Sequence, residues 1–192
     1  MSDSRQHKKG QYDQVDLVLW NVPYRRNHHF TVRDELLDWL HQHLSLETLD
    51  DPTSIYRVAL TQPRAITGLG GIGKTQIAVE YAYRSQGQGH FTHILWINAA
   101  NKETIIASFM AIAELLSLYS ARNEINQYKL VEAVKRWLEQ CNQRWLLIFD
   151  NADDLPILDG YFPRKGKGSI LLTTRANAID SLAASVEVEK WA

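Results

Sequence analysis

Two hydrophobic rhythms run along this chain. From Val15 to Val22 the apolar residues are bunched in an extended stretch, closed by Pro23 and the basic, polar run Arg25 to His29. Leu36, Leu37, Leu40 and Leu44 then recur at helical spacing and predict a helix from about Arg33 to Ser45. Thr31-Val32-Arg33-Asp34 before it has the capping-box pattern, and Asp50-Asp51-Pro52 breaks the helix. Beyond Pro52 short continuous apolar runs alternate with helical patterns. A strand is expected within Tyr56 to Thr67, then a glycine-rich loop (Gly68 to Gly73) and a helix from Lys74 that ends before Gly87. Further strands are expected at His93–Asn98, Trp145–Asp150, Ser169–Thr173 and Val186–Val188, with helices at Lys102–Leu118 and Gln127–Cys141. In the last helix Leu130, Val134, Trp137, Leu138 and Cys141 share one face. Continuous apolar strands alternating with helices predict an α/β fold, a parallel sheet covered on both faces. Residues 1–14 show no periodicity and are expected to be a disordered lead-in.

Composition narrows the class. The 192 residues suffice for one domain with its own core, and 45% hydrophobic with 22% charged residues is ordinary for a globular protein. A net charge of -1 gives no bulk-basic signal for nucleic acid or anionic membrane. The single cysteine, Cys141, forms neither an internal disulfide nor a thiolate metal cluster, which fits a cytoplasmic location. Ile105 to Tyr119 is too short to span a bilayer and carries Glu114. The histidines lack the i, i+4 spacing of a helical zinc site with a third ligand.

The chemistry is concentrated at three places. Gly68-Leu69-Gly70-Gly71-Ile72-Gly73-Lys74-Thr75 fits the phosphate-binding loop pattern G-x4-G-K-[ST]. Its glycines let successive N–H groups turn toward a phosphate, and the helix that starts at Lys74 adds the positive end of its dipole. Lys74 can reach the β- and γ-phosphates, and Thr75 offers a hydroxyl to Mg²⁺. Leu146-Leu147-Ile148-Phe149 then ends in Asp150, an acid at the carboxyl end of a buried strand, placed to serve the Mg²⁺ shell. In Asn151-Ala152-Asp153-Asp154, either Asp153 or Asp154 could polarise an attacking water; the alternative is a solvated acidic turn capping the short helix before Pro156. Thirdly, Gly168 to Thr174 leads into Arg175, whose guanidinium could sense a γ-phosphate or could be a surface arginine like most others.

In this order, Phe30 to Leu36, Gly68 to Arg84, Leu146 to Asp154 and Gly168 to Arg175 resemble the NB-ARC domain, the signalling NTPase module of the STAND class, in wording closest to its bacterial and fungal members. The resemblance covers Trp20 to the C-terminus. It implies a P-loop NTPase sandwich with a five-stranded parallel sheet in the order 2-3-4-1-5, and ATP/ADP exchange as a conformational switch. It also implies that Gly68 to Thr75 and Gln76 bind phosphates, that Thr75 and Asp150 serve Mg²⁺, that Arg175 senses the γ-phosphate, and that Val32 and Arg33 lie near adenine. Val32 stands where the family usually has glycine, and Asn151 where plant members have a second acid, which predicts slow hydrolysis.

On this reading residues 15–52 form an extended segment and helix packed on a nucleotide-binding core of residues 53–192. The chain is expected to be a fragment, lacking the family's following helical and winged-helix domains. A helical-repeat sensor and ATP-dependent self-assembly are expected of the full-length protein. Two other functions stay open: a self-contained P-loop ATPase or small-molecule kinase, and an ATP-dependent nucleic-acid-binding regulator. The kinase lacks a recognisable acceptor or lid segment, and DNA contact lacks a helix-turn-helix signal. Asn101-Lys102-Glu103-Thr104 starts like the guanine-reading N-K-x-D but lacks its Asp and precedes the acid-tipped strand, so GTP is not the expected ligand.

Overall fold

The strands expected at His93–Asn98, Trp145–Asp150 and Ser169–Thr173 bury residues toward both of their faces. The computed structural model describes residues 18–30, 34–45, 54–61, 73–118, 126–176 and 183–188. Its strands are β1 (Tyr56–Thr61), β2 (His93–Asn98), β3 (Trp145–Asp150), β4 (Gly168–Thr173) and β5 (Ala184–Glu187). All pairings are parallel, in the order β2-β3-β4-β1-β5. The helices are α1 (Asp34–Leu44), α2 (Lys74–Gly87), α3 (Lys102–Leu115) and α4 (Gln127–Gln140), and a short 3₁₀ helix covers Leu155–Tyr161. The lead-in 1–14, the capping-box residues Thr31 to Arg33 and the continuation of the first strand toward Thr67 lie outside the described residues.

The side-chain period of two sorts each strand between two cores. Leu147, Phe149, Ile170 and Leu172 pack with Ile105, Phe109, Val134 and Leu138 of α3 and α4. Leu146, Ile148, Val58, Leu60 and Leu171 pack on the opposite face with Leu36, Leu40, Ile77 and Ala78 of α1 and α2. Helices therefore cover both faces, which is why these strands read as unbroken apolar runs.

Two boundaries differ by more than one residue from the hydropathy reading. The third helix stops at Leu115 because Ser117 turns left-handed (φ 52°), the Ser117 N–H bonds Glu114 O and the Leu118 N–H bonds Ala113 O. This is the Schellman ending, which satisfies the last carbonyls and carries the chain away from the helix axis. The last strand starts earlier than its apolar residues, because its pairing runs Val58↔Ala184 to Thr61↔Glu187 while only Val186 of these four is buried.

The free edge of β2 is covered by the N-terminal segment. Trp20 bridges to Ile94, and the Ile94 N–H donates to Leu19 O at 2.9 Å. One step further on a side chain continues the ladder: Trp96 N–H donates to Asn21 Oδ1 at 2.6 Å, and Asn21 Nδ2 donates to Trp96 O at 3.3 Å. Arg26 then ties the segment to α2 through two bonds to the Glu80 carboxylate, at 3.0 and 2.8 Å. Arg84 donates to the same carboxylate at 2.8 Å and to Asp34 of α1 at 2.6 Å. One buried acid thus joins the N-terminal segment, α1 and α2.

Candidate functional site

The strand period decides what meets at the carboxyl edge of the sheet. Asp150 continues the parity of Leu146 and Ile148, so its carboxylate emerges on the α2 side. Thr173 continues the parity of Leu171 and emerges beside it. The Asp150 side chain is buried, and its Oδ1 accepts two hydroxyls, Thr173 Oγ1 at 2.5 Å and Thr75 Oγ1 at 2.8 Å. The carboxylate and the first turn of α2, 75 residues apart in sequence, are therefore in direct contact.

The start of α2 differs from the starts of α3 and α4. Asn101 caps α3 in a complete capping box with Thr104, and Asn126 caps α4 by accepting the Tyr128 and Lys129 N–H groups. The Asn-Lys-Glu-Thr run is thus a helix cap. By contrast, α2 has Gly73 at its N-cap in the left-handed conformation (φ 83°), with no side-chain cap and no acid in its first turn. A left-handed φ favours glycine, and the helix itself supplies no partner for the N–H groups of Thr75 and Gln76. The positive end of α2, where Lys74 and Thr75 stand, thus meets the Asp150 carboxylate from β3 and no acid of its own first turn. Burial holds the Lys74 ammonium below its ordinary range; the charges of Asp153 and Asp150 pull the other way, and Arg175 adds to the lowering.

Asp153 and Arg175 are joined. Arg175 Nη2 and Nε approach Asp153 Oδ2 at 2.5 and 2.7 Å, and the Arg175 N–H donates to Oδ1 at 2.7 Å. Burial raises the Asp153 carboxyl, but the hydrogen bonds from Arg175 outweigh it and hold the group below the usual range. Asp153 is a paired acid rather than a freely solvated turn residue, and Arg175 is exposed but not idle. Asp154 occupies the N-cap of the 3₁₀ helix without a side-chain cap bond. Asn151 has a positive φ of 62°, and its N–H donates to Thr173 Oγ1 at 3.0 Å.

Of the candidate residues, Gly73, Lys74, Thr75, Gln76, Asp150, Asp153, Asp154 and Arg175 lie at the start of α2, at the end of β3 or in the turns after β3 and β4. Val32, Arg33, Gly68, Leu69, Gly70, Gly71 and Ile72 lie outside the described residues. The sequence reading missed Thr173, although the parity of β4 would have put it beside the acid. Hydroxyl and carboxylate oxygens held side by side are the hard donors that Mg²⁺ takes, and the lysine and bare helix start suit phosphate, so the described residues fit both groups. Among the described residues no three or more His, Cys, Asp or Glu side chains gather as a metal cluster. A cleft of about 420 Å³ lies away from this chemistry, between the starts of α3 and α4, lined by Lys102, Tyr128 and Tyr161 among others.

This sheet order, with a lysine and threonine opening the helix beside an acid-tipped strand, defines a P-loop NTPase fold. The NB-ARC domain model matches residues 59–190, and the chain belongs to the NB-ARC family. It is 34% identical over 176 residues to a nucleotide-binding leucine-rich repeat (NLR)-like protein of Hyaloscypha variabilis, a match covering 83% of this chain and 17% of that protein. It is 26% identical over 119 residues to disease resistance protein RPP8 of Arabidopsis thaliana, covering 60% of this chain and 13% of that one. The chain thus spans under a fifth of the length of these relatives. Among solved structures, Cdc6p of Pyrobaculum aerophilum superposes with a TM-score of 0.53 at 17% identity, over 84% of this chain and 44% of that one. The ORC2 protein of Aeropyrum pernix, solved as ADPNP and ADP complexes, superposes with a TM-score of 0.54 at 16% identity, over 84% and 45%. At such identity these two establish the fold alone. The domain is a nucleotide-binding P-loop NTPase module, and among the described residues no helix is long and apolar enough to cross a membrane.

Proposed function

We propose that this domain is an adenine-nucleotide switch: it binds ATP or ADP with Mg²⁺, hydrolyses ATP slowly, and passes the identity of the bound nucleotide to the rest of a longer signalling protein. The observation that carries the reading is the contact of Thr75 with Asp150 at the one long sheet-covering helix whose start is left without a cap among α2, α3 and α4. Lys74 would bind the terminal phosphates, Thr75 and Asp150 would hold the metal shell, and Arg175 would meet the γ-phosphate. Gly68 to Ile72 of the loop would supply further N–H donors, and Val32 and Arg33 would flank the adenine. When bound, Mg²⁺ neutralises phosphate charge; the protein's own share is to orient the chain of phosphates and to present donors.

Slow turnover is supported by the acids after β3. Asn151 cannot accept a proton as a base, and Asp153 is engaged by Arg175. Helical and winged-helix domains, and a repeat sensor, would belong to the longer protein of which this core is part. In the test, ATP and ADP are titrated with and without Mg²⁺ into the 192-residue chain and two variants. Lys74→Ala removes a charge-assisted bond worth about 1.5–3 kcal/mol and should weaken ATP roughly tenfold to a hundredfold. Asp150→Ala should abolish the Mg²⁺ enhancement of ATP binding more than it affects metal-free ADP binding. Equal affinities across all three proteins would refute the assignment, and phosphate release near the ~10 s⁻¹ of a median enzyme would refute the slow switch.

A further inference from the structure

We propose that Asp153 is a built-in competitor of the γ-phosphate: it holds the Arg175 guanidinium until a third phosphate takes its place, and so sets how strongly the site prefers triphosphate to diphosphate. The inference rests on the switch reading above and goes further, by giving one carboxylate a regulatory role.

The geometry gives Asp153 what a phosphate oxygen pair would offer. One carboxylate oxygen takes Arg175 Nη2 and Nε, and the other takes the Arg175 N–H, with Thr174 Oγ1 more distant at 3.4 Å. Planar guanidinium recognises carboxylate and phosphate through the same forked donors, so the two are alternative occupants of one group. The backbone around Asp153 is fixed independently of Arg175. The Asn151 N–H bonds Thr173 Oγ1, the Ala152 N–H bonds Thr173 O at 2.8 Å, and the Asp153 N–H bonds Asn151 O at 2.9 Å. The Arg175 side chain is 72% exposed against 31% for Asp153, so the arginine is the partner able to swing while the acid stays.

Both charges also reach the phosphate-binding helix. Lys74 responds to Asp153 and to Arg175 in opposite senses, so both members of the pair lie within electrostatic reach of the lysine. With Asp153 paired to Arg175, the cationic power at that end is partly cancelled. An ADP complex leaves the pair undisturbed. A γ-phosphate must break it, and gains the guanidinium in return. A depressed carboxyl is also a weak proton acceptor, which separates this role from that of a general base.

The test measures dissociation constants of Mg·ATP and Mg·ADP for the 192-residue chain, Asp153→Asn, Arg175→Ala and the double variant, each checked for native circular dichroism. An exposed ion pair is worth a few-fold in an equilibrium, so Asp153→Asn should tighten ATP about three- to fivefold and change ADP by less than twofold. In the Arg175→Ala background the same substitution should leave the ATP to ADP ratio unchanged. Asp153→Ala repeats the comparison without an amide that could still accept from Arg175. Equal factors on both nucleotides, weaker ATP binding, or an effect that survives loss of Arg175 would overturn the competitor role while leaving the switch reading intact. A wild-type chain that binds neither nucleotide would overturn both.

Discussion

Thr173→Val separates the geometry of the acid from its mere presence. Valine keeps the shape of threonine and the buried strand end but removes one hydroxyl with two duties. That hydroxyl donates to Asp150 Oδ1 at 2.5 Å and accepts the Asn151 N–H at 3.0 Å. Thr173 is 2% exposed, so water cannot readily replace either bond. Losing a bond to a charged acceptor costs about 1.5–3 kcal/mol, and a neutral bond about 1, so the total is about 2.5–4 kcal/mol. With a urea slope of about 2 kcal/mol/M the midpoint should fall by about 1–2 M. Thr173→Ser keeps the hydroxyl and should recover most of that loss. Nucleotide titrations on the same proteins should show a smaller Mg²⁺ effect in the valine variant alone, because among the described residues Thr75 would then be the one hydroxyl still bonded to the Asp150 carboxylate. A valine variant within about 0.5 kcal/mol of wild type, with its Mg²⁺ response intact, would show that Thr173 does not orient the acid.

Gly168→Ala should be more damaging than its size suggests: its Cβ would sit 2.0 Å from the fully buried Trp145 ring, whose Nε1 is tied to Leu138 O, and overpacking of this kind costs about 1–3 kcal/mol or more, read by thermal unfolding. Glu80→Gln removes the charge that Arg26 and Arg84 share, and should cost about 1–3 kcal/mol in urea unfolding, since the arginines themselves are part-exposed. The bonds from Arg26, then Arg84, depress the Glu80 carboxyl against the opposing effect of burial. Its contribution should therefore be complete above the ordinary value of about 4.3, be lost as pH falls through the depressed folded value, and be missing from the Gln variant's pH profile. Lys74 is depressed by burial, so its charge should be lost at lower pH than that of an ordinary lysine, about 10.4. Nucleotide affinity should be level below the lysine's value in the free protein and decline above it, with proton uptake on binding in that alkaline range. A level profile up to the ordinary lysine value would count against Lys74 as the phosphate ligand.

The parts of this fold that were legible in the sequence are those decided by local patterning. His93–Asn98 and Trp145–Asp150 were readable to the residue because each is an apolar run bounded by polar residues and buried on both faces. Local spacing also placed Lys74 and Thr75 at a helix start and Asp150 at a strand end. What was not legible depends on partners distant in the chain. The early start of β5 follows from pairing with β1, 126 positions earlier at Val58↔Ala184, and Ala184 and Ser185 carry no hydropathy signal. The pairing of Asp153 with Arg175 joins two turns after different strands, and residue type alone could not choose among catalytic acid, turn residue and ion-pair partner. Likewise, nothing local marks Asn21 as a continuation of a β-ladder.

Protein synthesis gives that last residue a further consequence. The ladder from Asn21 to Trp96 spans 75 positions, and a chain made at about 5–20 residues per second emits the earlier residue roughly 4–15 s before the later one. The strand partner of Trp96 on its other side, Ile148, follows 52 positions later still. When β2 leaves the ribosome, the segment that will close its outer edge is already waiting, and the strand that will close its inner edge does not yet exist. The nascent domain therefore meets this open border with a tether made in advance, and a gene shortened to start just before α1 would release β2 with both borders open.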